Sequence, residues 1–408
     1  VPAPTGLHTL VPDFRGLPRT FWVLFVGTLV NRVGGFVLIF LTIYLTEERG
    51  LNPTQAGAVV AAYGIGAIGA GPIGGALSDR IGRRPTLVAS LIGGGASMFV
   101  LGLMTRISTI TAAAIGAGLL YEMYRPVVSA TVADVVSPEA RPRAYGLIYW
   151  AVNLGASIAA LLGGVVAAHS YRVLFAIDAI TTAMFGMALW AALPETQPVA
   201  PPNDSVGRGA AQSILSDRVF LAVCLLTLGF CLVFFQAFVG LPIDMRAHGI
   251  STSEFGGLMA INGVLIVVLQ PFAGEIVSTR SRPLVLALAS LVLGIGFGLN
   301  GWVGTAPGYA GAIAVWTIGE ILFAPASTSL VADLAPAPLR GRYQGVFAAM
   351  FTAAFAAAPV LGGYLIAHAG ARWLWISCFL TGAAVATGFF MLRPVGRERR
   401  DAPEISES

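Results

Sequence analysis

Four ionisable residues interrupt long apolar stretches of this chain: Arg32, Glu122, Arg125 and Glu320. A charge at mid-bilayer costs about 2.5–3.5 kcal/mol on insertion scales and is a functional candidate by default. Arg32 lies twelve residues into its apolar block, about 18 Å deep at the helical rise of about 1.5 Å per residue. Glu122 lies twelve residues before Asp134, at a similar depth. Arg125 follows Glu122 by three residues, so a helix puts both on one face. An arginine keeps its proton, so only the two acids can carry one. Two arginines and two glutamates also balance to zero. They could therefore be self-neutralising pairs that hold helices together, or a site where Glu122 or Glu320 exchanges protons beside an arginine. The expectation taken forward is the second.

Asn31, Gln236, Asn262, Gln270 and Asn300 are further polar residues in apolar blocks, and each alone reads most simply as a helix–helix hydrogen bond. Asn31, Gln236 and Asn262 are nevertheless expected beside the charges in a substrate cavity, together with Tyr121. Asp178 and Glu275 fall nearer the ends of their blocks and read as structural or gate charges. His169 and His368 read as boundary residues. Cys224, Cys231 and Cys378 sit in apolar blocks as small hydrophobes, with no disulfide framework or metal ligand set implied.

The elements that must position these groups follow from composition. Of 408 residues, 56% are hydrophobic and 11% charged, against about 25% charged in soluble domains. The apolar blocks are long enough to cross a hydrocarbon core of about 30 Å as helices, and the alternating ten-residue segments of a membrane barrel are absent. The first block is too long for a signal-peptide core and is taken as a span. The chain contains no lysine, so it has no P-loop and cannot be an ATP-driven pump by itself.

Twelve spans are expected at 20–45, 53–77, 85–105, 108–134, 143–168 and 171–193, then 218–243, 252–277, 283–303, 307–334, 341–368 and 371–392. The expected division is an N-terminal half (1–193), a polar linker (194–217) ending in a short interfacial helix at Ser213–Arg218, a C-terminal half (218–392) and a tail (393–408). The halves repeat at an offset of 199 residues: Asp134 falls on Asp333, Pro126 on Pro325, Arg141 on Arg340, and Pro72 on Pro271. Charge and proline matches at one constant offset point to a duplicated six-helix unit. With the N-terminus inside, 17 arginines lie on the cytoplasmic side, five outside and two within spans. That asymmetry predicts both termini in the cytoplasm, and the four-arginine tail is free to touch anionic lipid.

Between spans two and three stands Gly75-Ala76-Leu77-Ser78-Asp79-Arg80-Ile81-Gly82-Arg83-Arg84. With the twelve spans and the duplication, this segment resembles the G-x-L-a-D-r-x-G-r-[rk] signature of the major facilitator superfamily. The resemblance covers essentially the whole chain. It implies an all-α membrane protein of two pseudo-symmetric six-helix bundles, with spans one, four and ten lining a central cavity. It also implies a cytoplasmic latch, closed while the transporter faces outward and broken when it opens inward. Residue chemistry fits such a latch: Gly75 permits close helix approach, Gly82 a tight turn, and Asp79 is an anion at a helix end. Arg83 is expected to meet Asp134. The second copy has Ser278 where Asp79 stands and is one residue shorter, so the latch should be asymmetric, with Arg282 and Asp333 retaining part of it.

Within the family the chain is similar to the twelve-helix drug:proton antiporter branch, in Gly319-Glu320-x4-Pro325 and in the Ala-Asp endings of spans four and ten. It departs from that branch in two places. No arginine stands early in span four, where Ala112–Gly118 is uncharged. Span five carries Ala159-Ala160 where the branch has Gly-Pro, and Ala358-Pro359 appears in span eleven instead. The resemblance implies proton-coupled efflux of small amphipathic molecules from a bacterial inner membrane. It implies no cofactor beyond the proton gradient, no metal, no nucleic acid, no enzymatic activity, and function as a monomer. The alternative is proton-coupled movement of zwitterions such as peptides, suggested by Asn31-Arg32 with Tyr44-Leu45. A non-transporting receptor is disfavoured by the lack of an extramembrane domain. Glu320, without a sequence-local partner, is expected to be the better proton carrier, and Glu122 the acid held by Arg125. Arg32 is expected across the cavity, alternating between the two as the halves rock.

Overall fold

The computed structural model describes residues 17–137, 140–195, 216–336 and 339–392, without the side chains of Pro142, Pro271, Glu275, Ser278 and Arg340. The central linker and the tail lie almost wholly outside the described residues, as does most of the interfacial helix expected at Ser213–Arg218. The described chain is helical, with no strand, and eleven stretches are long and apolar enough to cross a membrane.

The twelfth expected span, the fourth, is two helices end to end, Ile107–Glu122 and Tyr124–Val135. Pro126 explains the division at Met123. Its ring lacks an N–H and presses on the carbonyl of residue 122, four positions back, so the helical ladder breaks one turn upstream. Span one is also interrupted: Arg19–Gly34 ends at Gly35, and Val37–Ile43 resumes before a short π-helical turn, Tyr44–Glu48. Span seven breaks at a similar level, where Arg218–Phe234 passes through a 3-10 turn (Phe235–Phe238) into Gly240–Ala247.

The duplication is visible in the helix starts. Span two (Pro53–Ile81) begins with a capping box, in which Asn52 accepts from the Gln55 N–H at 2.9 Å and Gln55 accepts from the Asn52 N–H at 3.1 Å. Span eight (Thr252–Thr279) begins with the equivalent box from Ser251 and Glu254, 199 residues later. The two boxes use different residue types to satisfy the same orphan helix donors.

Spans two and eleven (Arg340–Ala369) pack across the halves, as do spans five (Arg141–His169) and eight. Both contacts lie toward the end of the bundle that carries Glu47 and Arg246. A Cβ placed on Gly57 would come 2.2 Å from the Pro359 carbonyl, and one on Gly256 would come 2.3 Å from the Ala160 carbonyl. Both pairs of positions differ by 199, so one backbone contact is made twice about the pseudo-two-fold axis. The Thr54 hydroxyl donates to the Gly363 carbonyl at 3.5 Å, and the equivalent Ser253 hydroxyl to the Gly164 carbonyl at 3.2 Å. Glu47 and Arg246, themselves 199 apart, form an ion pair across the same seam.

At the opposite, arginine-rich end the halves stand apart. A Cβ on Gly71, Gly75, Gly146, Gly274 or Gly345 would meet nothing within 4 Å. The expected close approach at Gly75 is therefore not made in this conformation, because the helices that would press on it are separated at this end. The structure is closed at the Glu47–Arg246 end and open at the other.

Candidate functional site

The polar residues of the membrane interior fall into two clusters, one in each half. In the N-terminal half Glu122 is doubly bound: Oε1 accepts from the Tyr63 hydroxyl at 2.9 Å and Oε2 from Arg125 Nη1 at 2.9 Å. The i,i+3 spacing brings the Arg125 pair together, and span two supplies Tyr63. Arg32 stands on Glu122's own side of the molecule, not across the cavity from it. Its Nη2 donates to the Tyr124 hydroxyl, and its guanidinium carbon lies 5.5 Å from the Tyr124 ring centre. Arg32 Nε has no acceptor, and among the described residues Arg32 makes no ion pair. Gly155 of span five allows this packing, because a Cβ there would sit 2.5 Å from Arg32 Cβ.

Behind Arg32 lies Asp178, fully buried and eight positions into span six (Tyr171–Ala192), deeper than a gate charge would be. Its Oδ2 accepts from the Val37 N–H at 3.0 Å, and Oδ1 accepts from the Thr182 hydroxyl at 3.4 Å. The break in span one leaves the Val37 amide without a helical acceptor, and Asp178 supplies one. The Gly34–Gly35 pair is the sequence signal for that break, and a break in a membrane helix requires a nearby polar partner.

In the C-terminal half Glu320, on span ten (Ala306–Leu334), is partly buried. Its Oε2 accepts from Asn262 Nδ2 at 2.8 Å, and the same amide nitrogen donates to the Thr317 hydroxyl at 3.1 Å. No arginine pairs with it among the described residues. Asn262 also lines a cavity of about 110 Å³ with Asn153, Ser157, Phe238, Phe255 and Met259.

Three expected cavity residues turn away from this space. Asn31 is buried against span six, donating to the Thr182 hydroxyl at 2.8 Å. Gln236 is buried at the break of span seven and donates to the Ala358 carbonyl at 2.9 Å. Tyr121 is buried beside Asp178 and the Gly35 backbone. In each case the rotation of the helix about its axis, which depth along the chain does not specify, aims the side chain into packing. Residues not anticipated are Tyr63 and Tyr124, together with the Glu47–Arg246 pair, whose 199-residue separation was legible. Asp244 was also missed. It is a buried acid in span seven held by the Tyr309 hydroxyl at 2.9 Å and Trp375 Nε1 at 3.1 Å.

At the open end Arg83 bridges two acids, with Nε 3.0 Å from Asp134 and Nη1 3.0 Å from Asp79. Gly82 takes φ +101, which permits the one-residue turn between spans two and three. Arg84 bonds the Trp190 carbonyl and lies 4.5 Å over that ring, while Arg80 is exposed. In the second copy Arg282 Nη1 lies 2.8 Å from Asp333. All of these contacts lie within one half, so they stay intact although this end is open. Among the described residues Asp79 makes no ion pair with the other half. The expected Arg83–Asp134 meeting is made, and these pairs within each half are intact at the open end.

A family model described as the Major Facilitator Superfamily matches residues 24–351 and 241–407. A Bacillus subtilis protein named as the uncharacterized MFS-type transporter YttB is 28% identical over 374 residues, covering 88% of this chain and 92% of the relative. The multidrug resistance protein MdtH of Salmonella typhimurium is 26% identical over 370 residues, covering 90% of this chain and 88% of that relative. The crystal structure of a POT family transporter in complex with 5-aminolevulinic acid shares the fold. Its TM-score is 0.79 at 16% identity, covering 94% of this chain and 98% of that one.

Proposed function

The chain belongs to the Major Facilitator Superfamily, and from that premise we propose that it exports small amphipathic molecules in exchange for protons across a bacterial inner membrane. One observation carries the coupling assignment: of the two mid-membrane glutamates, Glu122 is held by an arginine and a tyrosine, while among the described residues Glu320 is hydrogen-bonded by the neutral Asn262 alone. An acid fixed by a permanent cation resists protonation, whereas one with neutral partners is free to load and unload a proton.

Placing the arginine-rich end in the cytoplasm makes the described conformation inward-open. From it Glu320 releases its proton inward and the cavity loads substrate. Closure of this end and parting of the Glu47–Arg246 seam would then expose the cavity outward. The 26% identity to a multidrug resistance protein supports export.

The coupling test is transport of fluorescent amphipathic dyes, of both charges, in proteoliposomes under an imposed pH gradient. Glu320→Gln is expected to abolish uphill accumulation while exchange partly survives. Uphill movement with normal pH dependence in that variant would remove Glu320 as carrier. Orientation is tested separately by cysteine labelling of intact cells, since the native cysteines are buried. Ala306→Cys should react from outside and Ser205→Cys should not; the reverse pattern inverts the assignment.

A further inference from the structure

Among the described mid-membrane groups, Arg32 combines three properties no other shares. It is permanently charged. The two acids nearest to it are both engaged elsewhere, Glu122 by Tyr63 and Arg125, and Asp178 by the Val37 amide and Thr182. Its hydrogen-bonding edge is incomplete in this conformation, with Nη2 on a neutral tyrosine hydroxyl and Nε buried without an acceptor. The Nε–Nη2 edge of a guanidinium is the fork that matches a planar or tetrahedral oxyanion in a two-point contact. Arg125, whose side chain is 55% exposed, adds a second cation on the same wall.

An apolar surface continues from this wall. The Tyr63 ring, whose hydroxyl holds Glu122, packs edge-on against Phe355 of the other half at 6.1 Å. Phe355 is packed in turn by Phe235 at 5.0 Å and Phe238 at 5.8 Å. Phe238 lines the small cavity that also holds Asn262, the partner of Glu320. A basic head site, an aromatic middle and the proton-carrying acid thus lie in series across the gap between the halves.

We propose that the substrate is an amphipathic organic anion, or a zwitterion bearing such a group, whose acidic head seats on Arg32 and whose apolar body lies against Phe355 and Phe238, which the buried Tyr63 ring backs. The assignment rests on the transporter reading above and specifies its substrate class. Binding supplies the acceptor that Arg32 lacks, so substrate and protein each satisfy a charge that burial would otherwise penalise. Glu320, at the far end of the surface, is left free for its proton.

The test uses three probes of one shape and different charge, 4-butylbenzenesulfonate, 4-butylbenzenesulfonamide and 4-butylphenyltrimethylammonium. Equilibrium binding to the purified full-length protein is measured by calorimetry. The sulfonate should bind about tenfold or more tightly than the other two, as expected for losing one charge-assisted contact. Arg32→Gln should erase that preference and Arg32→Lys keep part of it. Equal or tighter binding of the ammonium probe, binding of none of the three, or an unchanged preference in Arg32→Gln would overturn the assignment. Should Arg32→Gln fail to fold, the wild-type ranking decides alone. Proton-driven transport of organic cations only would sink the anion site and leave the exporter standing. Sulfonate selectivity without any response to a pH gradient would do the opposite.

Discussion

The two halves share one scaffold and differ in what they carry at mid-membrane. Their helix starts use equivalent capping boxes, and their contacts with each other are made twice, at Gly57 with Pro359 and at Gly256 with Ala160. In their interiors the N-terminal half holds Arg32, Glu122, Arg125 and Asp178 among tyrosines, while the C-terminal half holds Glu320 with an asparagine and a threonine. The shared backbone geometry lets one contact close this end twice, about the pseudo-two-fold axis that relates the halves. In the exchange proposed above, this divergent polar content would divide the labour. A paired acid costs less to keep charged, and an acid with neutral partners costs less to protonate.

The largest test of that contrast is the pair Glu320→Gln and Glu122→Gln. The first should leave the fold unchanged and remove pH-gradient-driven accumulation. The second leaves Arg125 without its carboxylate and Tyr63 without its ionic acceptor. It should lower thermal stability by about 1–3 kcal/mol, the cost of orphaning partners in a partly buried network. Loss of coupling from Glu122→Gln with stability unchanged would reverse the division of labour.

Next in size is the latch at the open end. Asp79 is exposed and, among the described residues, pairs only with Arg83, so Asp79→Asn should barely alter the stability of this conformation. Its effect should fall on the conformation in which this end closes. If closure loses about 1.4 kcal/mol, transport falls about tenfold. Ser278→Ala, at the second copy, should be mild. Equal loss from both would show that the two copies act alike.

The seam should respond less strongly. Gly57→Ala and Gly256→Ala each push a methyl against a carbonyl of the facing helix, and backbone has little room to yield. Both should raise labelling of cysteines introduced along the seam, and to similar degrees, because the contacts are equivalent. A large difference between them would break the symmetry inferred from the offset. The smallest effect belongs to Glu47 and Arg246, a half-exposed ion pair worth about 0.2–1 kcal/mol. Single neutralisations should weaken closure slightly, and the exchange Glu47→Arg with Arg246→Glu should restore it.

Several of these groups were legible in the chain itself. The spacing of Glu122 and Arg125 is a statement about one helix, and helical geometry converts it directly into a contact. Arg83 with Asp134, and Arg282 with Asp333, follow almost as directly, because charged residues at neighbouring span ends on one side of a membrane find each other. Asn31 and Gln236 were misplaced for the converse reason. Depth along a span is readable from residue number, but the direction in which a side chain faces depends on how that helix packs. Asp178 was underrated because its partner is a backbone amide freed by a break in another span.

By itself the sequence determined that the chain crosses a membrane many times and is built from a repeated unit with charges at chosen depths. Each of these is a property of local composition, period or offset. Only the tertiary structure decided which end of the bundle is open and that Arg32 shares a wall with Glu122 yet lacks a carboxylate. It alone showed that no described cation pairs with Glu320. Those facts depend on how helices far apart in sequence rotate and lean against one another, and that is fixed by packing across the halves, where glycines let backbone meet backbone.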